Sequence, residues 1–140
     1  PTITDGQYNA IQIDANGRVI TANAITDPCQ SSAVAKSSKV VAVTADAELV
    51  AISGSTVIYV CGWALTVAGT APTYRLIYGT GSVCATGLTG LTGTYAPTAG
   101  SYNAYGGAAT LTKTPAGNAL CLDVGGTTPD VEGILTYVQQ

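Results

Sequence analysis

The chain has 140 residues and a formal net charge of −3, with 46% hydrophobic but only 9% charged residues and no His, Met or Phe. Without His there is no Ser-His-Asp or Cys-His machinery, no His metal ligand and no side chain that titrates near neutrality unperturbed. Five Lys and Arg in total, with no basic cluster, argue against a nucleic-acid partner, which is held by cations that displace phosphate counterions.

In chain order, the first element is a β-hairpin. Tyr8, Ile11 and Ile13 lie in an apolar-polar run, Asp14-Ala15-Asn16-Gly17 supplies the turn, and Val19 and Ile20 begin the return strand. A lone hairpin is marginal in water, so residues 1–24 read as an anchoring arm with Tyr8, Ile11, Ile13, Val19 and Ile20 as its contact residues. Residues 25–39, with Pro28 and four Ser, read as a linker that Cys29 ties down at one point.

From residue 40 to 140 the pattern predicts an all-β sandwich: short apolar runs separated by Gly, Thr, Ser or Pro clusters about every ten residues. The expected strands are 40–44, 48–52, 57–67, 73–78, 110–114, 119–124 and 131–138. In the third, Val57, Tyr59, Cys61, Trp63, Leu65 and Val67 share one face and Ile58, Val60, Gly62 and Ala64 the other; both faces are apolar, which points to a central strand. The last strand alternates Val131, Gly133, Leu135 and Tyr137 against Glu132, Ile134, Thr136 and Val138. Helix is poorly supported; only the window 44–52 contains several good helix formers. Residues 79–107 read as loop excursions with one or two weak strands, and their tyrosines, Tyr95, Tyr102 and Tyr105, are candidates for subunit or partner contacts.

Cys29, Cys61, Cys84 and Cys121 show no CxxC spacing, and without His a zinc site would need all four thiolates from four separate places. Two readings stay open, disulfides and buried free thiols. Cys61 and Cys121 fall in strands and Cys29 and Cys84 in loops. Three pairings are open, and sequence does not choose among them; strand-to-loop bridges Cys29–Cys61 and Cys84–Cys121 are preferred. Such bridges would persist outside a reducing cytosol.

Other constellations have bland readings. Gly79-Thr80-Gly81-Ser82-Val83-Cys84 lacks the third glycine and the following helix of a dinucleotide fingerprint, and so reads as a turn. Asp46 with Glu48 and Asp130 with Glu132 are carboxylate pairs on strand faces, too few to complete a Ca²⁺ shell. Trp63, in mid-strand, reads as core rather than as a sugar platform. The longest mostly apolar run, 57–67, is far below the roughly 20 residues of a membrane span. Hence neither catalytic residue, cofactor, metal nor membrane partner is expected.

The segment from Thr4 to Thr21, Thr-Asp-Gly-Gln-Tyr-Asn-Ala-Ile-Gln-Ile-Asp-Ala-Asn-Gly-Arg-Val-Ile-Thr, resembles one common near the start of virion structural proteins of tailed bacteriophages. Asp27-Pro28-Cys29-Gln30-Ser31, Ile58-Tyr59-Val60-Cys61-Gly62, Tyr78-Gly79-Thr80-Gly81 with Cys84 following, Leu91-Thr92-Gly93, Thr114 to Leu122, and Gly133 to Tyr137 together resemble a family of small phage virion proteins. The resemblance spans nearly the whole chain. It implies a jelly-roll-like antiparallel β-sandwich on the outside of a virion, with no catalytic residue to carry over. An arm on a compact β domain suits a capsid decoration, or cement, protein, and virion assemblies favour symmetric rings. The expectation is therefore a homotrimer on the head, contacting the major capsid protein or other virion proteins. The alternative is a tail-fibre or receptor-binding module that meets a cell-surface glycan through Tyr95, Tyr102 and Tyr105.

Overall fold

The computed structural model describes residues 12–13, 19–20, 27–107 and 109–140. Its strands are β1 (Gln12–Ile13), β2 (Val19–Ile20), β3 (Ser37–Val43), β4 (Ala47–Val50), β5 (Ile58–Thr80), β6 (Thr86–Gly90), β7 (Ser101–Gly106), β8 (Thr112–Lys113) and β9 (Ala119–Gln139). Among the described residues the sole helical element is a 3₁₀ turn, Ser82–Cys84. The window 44–52 holds strand β4, not helix.

β1 and β2 pair antiparallel, with Gln12 opposite Ile20 and Ile13 opposite Val19, the register that a hairpin requires. Tyr8, Ile11 and the turn at 14–17 lie outside the described residues, as do the side chains of Ile13, Val19 and Ile20. The remaining seven strands form one antiparallel sheet. It begins at Ser37, three residues inside the segment that reads as linker.

The main departure from the sequence reading is that two pairs of expected strands are each one strand. β5 runs from Ile58 to Thr80 without interruption, joining the runs expected at 57–67 and 73–78, and β9 spans 119–124 and 131–138. The Gly, Thr and Pro clusters between these runs look like loops because they lack apolar alternation. In the structure they pair with each other: Thr70 opposes Thr127 and Thr73 opposes Gly125, with register shifts on either side. Such bulges bend a ladder instead of ending it. Positive φ angles at Gly69, Ala71, Gly126 and Thr128 carry the bend, and a Cβ on Gly126 would lie 2.6 Å from the Ala71 carbonyl oxygen.

This corner folds the sheet over on itself. The first half is ordered β3, β9 (131–139), β5 (58–67), β7, with β8 beside β7 on the same edge of β5. The second half is ordered β4, β9 (119–125), β5 (73–80), β6. With the two-residue β8 set aside, the eight remaining segments, numbered along the chain, are ordered 1-8-3-6 and 2-7-4-5, the paired Greek keys of a jelly roll. The fold is thus an all-β antiparallel sandwich, as expected.

Between the halves lies one core, with Val41, Ile58, Val60, Leu65, Val67 and Leu135 from the first half and Tyr74, Leu76, Leu120 and Leu122 from the second. Each fully buried aliphatic side chain contributes about 1.5–3 kcal/mol. The face assignment of 57–67 needs correction here. A register shift between Val60 and Gly62 inserts one unpaired residue, Cys61, and an extra residue reverses the parity of all that follows. Ile58 and Val60 therefore join Trp63, Leu65 and Val67 in the core, while Tyr59 and Cys61 turn outward toward Cys29 and Val138. The alternation of the last strand holds, with Val131 and Leu135 in the core and Tyr137 packed against it. Position 133 requires glycine, because a Cβ there would overlap the Ala64 carbonyl oxygen.

Candidate functional site: the two outer faces

Each half-sheet turns one face to the core and one outward, and each outward face carries a disulfide. The pairs are Cys29–Cys61, with Cα atoms 5.3 Å apart, and Cys84–Cys121, 6.2 Å apart. Both preferred pairings are present and no cysteine is free. In both, a loop segment is bonded to a strand, but the surroundings differ.

On the second half, the 3₁₀ turn after β5 folds back over the sheet. Cys84, Ile77, Ala119 and Cys121 form a closed cluster, each at most 1% exposed. Val83 and Cys84 both take positive φ, at 52° and 56°, a costly conformation for residues with a Cβ that the bond to Cys121 holds in place. Beside this cluster Arg75 donates to the Asp123 carboxylate; with both groups partly exposed, the pair adds little to stability. The glycine-rich Gly79 to Cys84 string is thus the lead-in to a covalent clip, and the 3₁₀ turn it enters is three residues long.

On the first half, the clip covers only one end. Cys29 and Cys61 pack with Val138, Val34 and Tyr59. The approach to this bond is fixed by Asp27, whose carboxylate accepts from the Thr110 hydroxyl at 2.6 Å, the Thr110 N–H at 2.8 Å and the Cys29 N–H at 2.8 Å. These bonds, the Thr110 hydroxyl foremost, hold the Asp27 carboxyl below its ordinary value of 3.8. Lys113 sits 5.7 Å above the Tyr59 ring, within cation-π range.

Beyond the clip the outer face of the first half is open. The register aligns Ser38, Thr136, Gly62 and Gly106 in one row across the four strands and Val40, Ile134, Ala64 and Ala104 in the next. Val40 is 74% and Ile134 42% exposed. The surface is shallow because its central residues are Gly and Ala, and it forms a trough of about 520 Å³ bordered by Cys29 and Lys36 at one rim. The sequence reading missed this face. Its signal was present in the uncharged set Val40, Ala64, Ala104 and Ile134, but the set becomes visible only once four distant segments are in register.

The three candidate tyrosines do not share one surface. Tyr95 and Tyr105 close the open side of the sandwich around Trp63: the Trp63 ring is 5.0 Å from Tyr105 and 6.3 Å from Tyr95, and Tyr95 stacks on Tyr74 at 5.0 Å. Tyr102 pairs with Thr66 across the ladder and is 68% exposed. Trp63 is core, as its mid-strand place suggests. Its indole N–H and the Tyr74 hydroxyl are buried without a completed hydrogen bond. Burial raises the Tyr74 pKa, and the nearby Trp63 N–H offsets part of that shift.

The carboxylate pairs are likewise structural in placement. Asp46 accepts the Val124 N–H at 2.8 Å, Glu48 faces Cys121 across the ladder, and Asp130 and Glu132 oppose Ala68 and Thr66. Among the described residues no group of three or more His, Cys, Asp or Glu could hold a metal ion, and no helix is long and apolar enough to cross a membrane. Compared with known proteins, the chain matches no family model, no curated protein and no solved structure.

Proposed function

We propose that the chain is a non-enzymatic structural subunit of a tailed-phage virion, a decoration protein that reinforces the outer surface of the head as a homotrimer on the major capsid protein or another virion protein. The observation that carries this reading is the open outer face of the first half-sheet, where Ser38, Thr136, Gly62 and Gly106 in one row and Val40, Ile134, Ala64 and Ala104 in the next are uncharged and Glu132 stands in the row beyond, set next to the disulfide that fixes Cys29. A subunit whose work is to be covered by neighbours needs a flat apolar surface, a tethered arm and resistance to unfolding. Two disulfides supply the last of these. The resemblance of the chain to small phage virion proteins points the same way.

A glycan-binding tail module would need its aromatic residues gathered at one exposed tip, whereas Tyr95 and Tyr105 are engaged with Trp63 and Tyr102 lies apart. The test is location and copy number: gold-labelled chain imaged on purified particles. Label at many equivalent sites over the head is the expected result. Label confined to a tail tip, or none on the particle, would overturn the proposal.

A further inference from the structure

We infer that the open outer face of the first half-sheet is the seat for the N-terminal hairpin of a second copy of this chain. The inference rests on the assembly reading above and specifies which surfaces hold the copies together.

Size decides among possible occupants. The exposed face is four strands wide and as long as β7, which has six residues. With strands about 4.8 Å apart and a rise of about 3.3 Å per residue, that is on the order of 400 Å². A stable interface between two folded proteins needs roughly 800 Å² from each side, so two such faces packed together fall short. A two-stranded hairpin fits within it, and one from each copy brings in surface that the sandwich alone does not have.

The hairpin needs such a seat. Among the described residues β1 and β2 pair only with each other, and an isolated two-stranded hairpin is marginal in water unless it packs on a further surface. Ile13 and Val19, apolar residues, stand directly opposite one another in it. The chain outside the described body ends in the right place, because residue 26 joins Asp27, which is bonded to Thr110, and Cys29 two residues on lines the rim of the trough. Six residues, 21–26, separate β2 from that anchor; fully extended, six residues span about 20 Å, roughly the width of a four-strand face. Handing an identical element to the next copy is a low-cost route to association, and a head-to-tail contact of this kind makes a ring where its rotation closes.

The experiment uses two full-length chains that differ in an affinity tag and so in size. One carries Ile13→Cys and the other Ile134→Cys, and the mixture is oxidised and resolved on a non-reducing gel. A covalent product containing both tags is expected. A chain carrying both substitutions that closes only on itself, with no product in the mixture, would overturn the inference in favour of the hairpin's own body as the seat; no bond in either arrangement would overturn it outright. A second measurement covers the case in which an added cysteine disturbs the native bridges. Val40→Glu, checked for retained fold by near-ultraviolet circular dichroism, should sediment as monomer where the parent sediments as an assembly, and an unchanged assembly counts against the seat. Particle labelling separates the two proposals. Cross-linking without particle binding removes the virion reading and leaves the seat; particle binding without cross-linking does the reverse.

Discussion

The two halves of the folded sheet share their central strands, since β5 and β9 run through both, and each has one loop-to-strand disulfide on its outer face. They differ in what that disulfide covers. Over the second half it closes a small satellite core around Ile77 and Cys121, while over the first it pins one end of an otherwise open sheet. The contrast separates two roles that a disulfide can have on one scaffold. Cys84–Cys121 substitutes for hydrophobic volume; Cys29–Cys61 fixes the segment around Asp27 and Cys29 to the sheet.

If the contrast is real, the two bridges should not cost the same to remove. Replacing Cys84 and Cys121 together by Ser opens a loop of 37 residues and puts hydroxyls into a sealed cluster; a loss of about 3–5 kcal/mol is expected in urea unfolding. The Cys29 and Cys61 double Ser variant should lose less, about 2–3 kcal/mol, and its hydrogen exchange should quicken around residues 27–36 while the β5–β9 ladder stays protected. Equal losses with uniform exchange would erase the distinction.

A second pair of variants should separate the two faces directly. Ile77 is 1% exposed and Ile134 42%. Ile77→Ala is expected to cost about 2–4 kcal/mol through lost transfer energy and a residual cavity, and Ile134→Ala under about 1 kcal/mol in dilute, unassembled protein. Similar values from thermal unfolding would mean that the first outer face is covered in solution.

The smallest effect concerns the anchor of the first clip. The Asp27 carboxyl lies below 3.8 in the folded chain, so its bonds to Thr110 and Cys29 are complete above the unfolded carboxylate value and fade as pH falls through the lowered folded one. Amide exchange of Thr110 and Cys29 should therefore quicken below about pH 4 relative to β9 amides. Asp27→Asn should remove that pH dependence.

How much of this was legible before the fold was known follows from the range of each signal. Alternation from 131 to 138 and in the run Tyr74, Leu76 is local, and it reports the core face correctly. Alternation from 57 to 67 is equally clear but misassigns Tyr59, Cys61, Ile58 and Val60, because a single bulged residue at Cys61 reverses the phase without leaving a mark in composition. The corner residues Gly69 to Pro72 and Gly126 to Pro129 carry loop composition, yet they continue the ladder since each strand's bulges match the other's. Asp27 gave no hint of its partner: Thr110 is 83 residues away.

By itself, then, the sequence determined the class and the exclusions. Period-two apolar patterning with frequent turn residues dictates β structure, four cysteines split between strands and loops favour bridges, and the absence of His removes whole chemistries. Only the tertiary structure decided which cysteines meet, where two long strands bend together, and that Val40, Ile134, Ala64 and Ala104 come into one exposed row. The physical reason is common to all three. Each depends on the register between segments far apart in the chain, and register is set by the packing of the whole sandwich rather than by the preferences of any one strand.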